Sequence, residues 1–121
     1  MEKRVRIMVV DDNKDIRESF HLILLAEGYE VVTVEQGLQA LARLEEGPFD
    51  LVLTDLEMPG MNGLELLSNI KTIAPQTAVV VVTGRASWHS ALIALQRGAS
   101  AYLDKAMSVE EILNVIRKTL K

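Results

Sequence analysis

Residues 49–63 read "FDLVLTDLEMPGMNG", from Phe49 to Gly63. Leu51, Val52 and Leu53 form an unbroken apolar run into Thr54, as in a strand covered on both faces. The run ends directly on Asp55. Burying an unpaired carboxylate is costly, so a strand that delivers one at its end places it in a crevice, where it caps a neighbouring element or does chemistry.

Working outward, similar runs recur along the chain: "VRIMVV" (5–10), "EVVTV" (30–34), "DLVLT" (50–54), "AVVVVT" (78–83) and "AYL" (101–103). They alternate with longer stretches of helical periodicity, the pattern of βαβ units around a parallel sheet. Val79 to Val82 show no polar alternation, which predicts a central strand. The first helical stretch aligns Ile16, Phe20, Ile23 and Leu24 on one face, and the last aligns Ile112, Val115, Ile116 and Leu120. Gly28, Gly47-Pro48, Pro75 and Gly98 close helices, whereas Asn62 with Glu65 and Ser108 with Glu111 have the spacing of capping pairs that open them. About five strands and five helices follow. Right-handed crossovers wind them into a doubly wound (βα)5 three-layer α/β sandwich, expected as one domain over residues 1–121.

Composition narrows the function. A chain of 121 residues, 49% hydrophobic, has enough apolar material for one core. Its net charge of −4 argues against direct nucleic-acid binding, which needs a basic surface to displace counterions. The absence of cysteine excludes disulfides, thiolate catalysis and cysteine-ligated zinc. In "MEKRVRIMVVDDN" the apolar run is broken at Asp11, too early for a signal peptide, and no stretch approaches membrane-spanning length. The expectation is a soluble cytoplasmic protein with no membrane partner.

In an open parallel sheet, ligands bind beyond the carboxyl ends of the strands. There the sequence places Asp11-Asp12, Asp55, Thr83 and, just past the fifth strand, Lys105. Each has an ordinary explanation alone. Asp11 and Asp12 can accept hydrogen bonds from the first turn of the next helix. Thr83 can be a β-branched strand residue, and Lys105 a solvated charge. Together they point elsewhere. Three converging carboxylates repel one another, and a divalent cation relieves the repulsion; oxygen-only ligands favour Mg²⁺ or Mn²⁺ over zinc. A lysine and a hydroxyl on neighbouring strand ends supply positive charge and a hydrogen-bond donor to a phosphoryl group in transfer. The set describes phosphoryl transfer onto a carboxylate.

On these residues the chain resembles the receiver domain of bacterial two-component response regulators, and is similar to the single-domain chemotaxis regulator. The motifs are Asp11-Asp12, "TDLEMPGMNG" with Asp55 at the acceptor position, Thr83-Gly84, and "GASAYLDK" ending in Lys105. The resemblance implies a flavodoxin-like fold with strand order 2-1-3-4-5. It implies that Asp55 takes a phosphoryl group from a sensor histidine kinase, a phosphotransfer protein or a small phosphodonor. Asp12, Asp55 and the backbone carbonyl of Glu57 would ligate Mg²⁺, with Asp11 orienting a bound water. Lys105 would pair with the phosphoryl oxygens. Thr83 would move to hydrogen-bond them, vacating space into which Tyr102 rotates. Such a chain catalyses its own phosphorylation and dephosphorylation but is a signalling switch rather than a conventional enzyme.

Two further expectations belong to the same resemblance. Glu57 and Arg85, two residues past the acceptor and two past the threonine, would flank the route by which water reaches the acyl phosphate. The helix from Trp88 to Gly98, with the Tyr102 strand and the last helix, would form a face for a homodimer or an output partner. Ala91, Leu95 and Gly98 of that helix are available to the sheet, leaving Trp88, Leu92 and Ile93 pointing elsewhere. One departure stands out: receivers usually follow the lysine with proline, and here Ala106 follows, which predicts a trans peptide. The alternative is a degenerate receiver acting only as an interaction module, against which the full set of site residues argues. A haloacid-dehalogenase-like phosphatase would need a second aspartate two residues after the first, which neither Asp11 nor Asp55 has. A flavodoxin would need a Ser/Thr- and Gly-rich phosphate loop and aromatic residues to sandwich a flavin.

Overall fold

The computed structural model describes residues 4–121, so that Met1–Lys3 of the basic start lie outside the described residues. Strands and helices alternate without exception: β1 (Arg6–Val10), α1 (Lys14–Ala26), β2 (Glu30–Val34), α2 (Gly37–Glu46), β3 (Leu51–Thr54), α3 (Gly63–Ile73), β4 (Ala78–Thr83), α4 (Trp88–Gln96), β5 (Ala101–Asp104) and α5 (Val109–Thr119). The five strands pair in parallel in the order β2-β1-β3-β4-β5. This is the order implied by the resemblance. Element limits move by about one residue from the sequence reading: β3 starts at Leu51 and β5 continues through Asp104.

Period-two alternation along the central strands builds two cores. Met8, Val10, Val52, Val79 and Val81 face one side, against Ala40 of α2, Leu66, Leu67 and Ile70 of α3, and Ala94 of α4. Ile7, Val9, Leu51, Leu53, Val80 and Val82 face the other, against Leu24 of α1 and Ile112, Leu113 and Ile116 of α5. Covering both faces removes the need for polar residues in β3 and β4, which explains "LVLT" and "VVVV". Each fully buried Leu or Ile contributes about 1.5–3 kcal/mol. Among the described residues no helix is long and apolar enough to cross a membrane.

The two capping pairs form as the spacing predicts. Asn62 Oδ1 accepts the Glu65 N–H while Glu65 Oε1 accepts the Asn62 N–H, and Ser108 and Glu111 repeat the exchange at α5. At the start of α1, Asn13 Oδ1 accepts the Ile16 N–H at 3.1 Å and is the N-cap. Asp11 lies just upstream, and its Oδ1 accepts the Asn13 N–H at 2.9 Å, so it braces the helix start without being its cap.

α4 brings a correction. Its buried residue is Ala94, while Leu95 is 52% exposed and Gly98 is exposed, so neither lies against the sheet. A nine-residue helix that is apolar around most of its circumference carries no periodic signal to choose a face. The close approach to β5 and α3 is taken by the smallest of these side chains. Trp88, at 87% exposure, and Leu92, at 56%, point outward as expected.

Candidate functional site

The parallel register brings the chemistry together. Val10 lies beside Thr54, so β1 and β3 leave the sheet side by side and their next residues are Asp11 and Asp55. The Asp55 N–H donates to the Val10 carbonyl at 2.9 Å and the Asp11 N–H to the Val34 carbonyl at 3.2 Å, extending the ladder through both carboxylates. On the other side Thr83 lies beside Asp104, and the Lys105 N–H donates to the Thr83 carbonyl at 2.9 Å. All the strand-end residues singled out in the sequence therefore meet on one edge.

Oxygens of Asp11, Asp12 and Asp55 lie within 4.8 Å of one another. Asp11 and Asp55 are buried and Asp12 is exposed, which gives the cluster one open side. Lys105 spans the buried pair, its Nζ 3.1 Å from Asp11 Oδ2 and 3.4 Å from Asp55 Oδ2. The other oxygen of Asp55, Oδ1, accepts the Leu56 N–H at 2.8 Å. Burial, and then the neighbouring Asp11 charge, raise the Asp55 carboxyl above the usual carboxylate value; Lys105 and the Leu56 N–H pull it down without cancelling the rise.

The loop that carries Asp55 is held by a close approach. Gly63 opens α3, and its N–H donates to the Leu56 carbonyl at 2.7 Å. A Cβ there would collide with the Asp55 carbonyl oxygen and stand 2.8 Å from Leu56 Cα. Glycine is therefore required for α3 to start against the loop that carries Asp55.

Thr83 is buried, and its Oγ1 accepts the Arg85 N–H at 3.1 Å. Tyr102 is half-buried, and its hydroxyl hydrogen-bonds Ser90 Oγ and accepts the Ser87 N–H at 3.3 Å. It thus ties β5 to the first turn of α4. The Glu57 side chain is exposed and lies 3.6 Å, Oε1 to Nε, from Arg85. The Lys105–Ala106 peptide is trans, since there are no cis peptides among the described residues.

Sequence reasoning missed Arg17, Ser87 and Ser90. Arg17, 14% exposed, donates through Nη1 to the Asp11 carbonyl at 2.9 Å and places Nη2 3.5 Å from Glu35 Oε1, joining the loops after β1 and β2. Its signal was an arginine in the second turn of the helix that follows an acidic pair. The two serines carry no local signal that sets them apart from other helix-opening residues.

The donor set fits a hard divalent cation. It is all oxygen, with no histidine in the cluster, and three carboxylates face one small space. That chemistry suits Mg²⁺ or Mn²⁺.

Comparison with known proteins agrees with this geometry. Residues 7–117 match the family model of the response regulator receiver domain. The chain is 36% identical over 121 residues to YkoG of Bacillus subtilis (strain 168), an uncharacterized transcriptional regulatory protein, covering 100% of this chain and 53% of that one. Among solved structures it is similar to a CheY-like response regulator receiver domain protein from Methanospirillum hungatei JF-1, with a TM-score of 0.93, 36% identity and coverage of 98% and 94% of the two chains. The beryllofluoride-activated NtrC4 receiver domain dimer superposes with a TM-score of 0.90 at 34% identity, covering 95% of each chain. The chain belongs to the response regulator receiver domain family. The curated relatives it matches here are longer proteins, of which it spans between 24% and 53%.

Proposed function

We propose that this receiver domain accepts a phosphoryl group on Asp55 from a histidine kinase or phosphotransfer protein, in a Mg²⁺-dependent reaction, and passes the change to an output domain or partner. The observation that supports it most is Lys105 Nζ reaching both Asp11 and Asp55 at the edge where three carboxylates converge. Asp55 attacks phosphorus in line; a P–N bond to the donor imidazole breaks as the O–P bond to Asp55 forms. Lys105 then exchanges its carboxylate contacts for phosphoryl oxygens, and the ammonium balances the added charge. Asp12, Asp55 and the Glu57 backbone carbonyl would hold Mg²⁺, with Asp11 orienting a water, and the ion would neutralise the carboxylates and the phosphoryl oxygens.

Thr83 is the group placed to sense the product. Its hydroxyl gives up the Arg85 N–H, turns to the phosphoryl oxygens and leaves space for Tyr102. A rotation of Tyr102 breaks its bonds to Ser90 and Ser87, and with them the tie to α4. The exposed Trp88, Leu92 and Leu95 then present a face for a second copy or an output partner, a reading supported by the beryllofluoride-activated dimer among the similar structures. A degenerate receiver would lack part of the acidic set, the hydroxyl or the lysine, and all are present.

The test is labelling by a small phosphodonor in Mg²⁺. Asp55→Asn, which keeps the shape and removes the nucleophile, is expected to abolish it in a folded protein. Stoichiometric labelling of that variant would move the acceptor to Asp11 or Asp12.

A further inference from the structure

Lys105 must bring a long, flexible side chain to two carboxylates, and its backbone has to be held for that to happen. One side is held by the sheet, through the Lys105 N–H to the Thr83 carbonyl at 2.9 Å. The other side is a turn: the Met107 N–H donates to the Asp104 carbonyl at 3.0 Å, closing residues 104–107. Inside that turn the Asp104 side chain makes a second bond, Oδ1 accepting the Ala106 N–H at 2.8 Å. Aspartate is suited to this because its short side chain reaches the N–H two residues on.

The bond exists only because residue 106 keeps its N–H, which proline lacks. Asp104 has no other partner that accounts for its charge: among the described residues no cationic side chain lies within 4.0 Å of it. It directly precedes Lys105, and a further negative charge there offers no electrostatic gain to a site that is to receive an anion. Its use is therefore geometric.

We infer that Asp104 is a positioning residue for Lys105: its carboxylate fixes the turn after β5 through the Ala106 N–H and so holds the lysine over Asp11 and Asp55. This rests on the reading of Asp55 as phosphoryl acceptor. Removing a negative charge beside the site should by itself speed the approach of an anionic phosphodonor. A slower Asp104→Ala protein thus runs against the electrostatic direction and isolates the positioning effect.

The experiment measures the rate of labelling by phosphoramidate in Mg²⁺ for wild type, Asp104→Ala and Asp104→Asn, and repeats the three in a Lys105→Met background. Asp104→Ala is expected to slow labelling by about three- to tenfold, the range of one lost hydrogen bond. Asp104→Asn, whose Oδ1 accepts the same N–H, should stay within about twofold of wild type or exceed it. Without Lys105 the alanine change should have no effect. Affinity for beryllofluoride in Mg²⁺, taken by calorimetry on the same six proteins, gives the same comparison without turnover. Equal slowing in both backgrounds, or no slowing in either, overturns the inference. A wild-type protein that takes no label would instead overturn the acceptor reading.

Discussion

Arg85 Nε lies 3.6 Å from Glu57 Oε1, joining the loop after β4 to the loop after β3, two residues beyond Thr83 and two beyond Asp55. Both side chains are largely in water, 83% and 54% exposed, so the pair is worth only about 0–1 kcal/mol and exchanges readily. On the proposed reading of Asp55 as phosphoryl acceptor, such a pair would crowd the approach of water to the acyl phosphate, and neither group is an obvious general base for it. With both residues changed to alanine, the phosphoryl lifetime is expected to shorten by up to about fivefold, the rate equivalent of that energy. Phosphate release from the labelled proteins measures it, and a lifetime unchanged or lengthened would sink the idea.

Trp88 would report on the proposed switch. It is the first residue of α4, next to Ser87, whose N–H bonds the Tyr102 hydroxyl. Any rotation of Tyr102 frees that turn and changes the solvent around the indole. Beryllofluoride with Mg²⁺ is expected to alter Trp88 fluorescence and to promote self-association or partner binding. Fluorescence and sedimentation at full occupancy test this together, and the absence of both changes would count against an output role for the face.

The Asp55 carboxylate should destabilise the fold at neutral pH. Burial and Asp11 raise its pKa, so the folded state holds the proton more tightly than the unfolded chain, whose value is near 3.8. Stability from this group is fully present below the unfolded value and is lost as pH rises through the folded one. With divalent ions chelated, Asp55→Asn is therefore expected to be more stable than wild type near pH 7, with the gain shrinking toward acid. Urea midpoints across that range decide it; a variant less stable at neutral pH would mean that the Lys105 pair outweighs burial.

Gly63→Ala sets two effects against each other. Alanine favours a helical position by about 1 kcal/mol over glycine. Here its Cβ would meet the Asp55 carbonyl oxygen and Leu56 Cα, and relieving such overpacking costs about 1–3 kcal/mol on top of any helical gain. The clash is expected to win, with a lower melting temperature and slower labelling, because the displaced backbone carries the acceptor. A variant melting at or above wild type, and labelling normally, would show that the loop yields freely.

The strand ends were legible because they rest on local chemistry and one topological rule. "LVLT" before Asp55 and "VVVV" before Thr83 are apolar on both faces, which marks central parallel strands, and parallel strands deliver their carboxyl ends to one edge. Asp11, Asp12, Asp55, Thr83 and Lys105 could thus be grouped before any coordinate was known. The capping pairs at Asn62 and Ser108 were equally local, set by a spacing of three residues.

What the residues alone left open depended on packing between elements distant in sequence. The burial of Ala94 rather than Leu95 was decided by how α4 packs on β5 and α3, which a helix apolar around most of its circumference does not encode. The tie from Tyr102 to Ser90 joins side chains 12 residues apart, and the contact of Lys105 with both Asp11 and Asp55 exists only once β1, β3, β4 and β5 stand in register. Periodicity reports which residues are apolar and at what interval; the direction a side chain takes, and the partner it meets there, are fixed by the neighbours that leave it room.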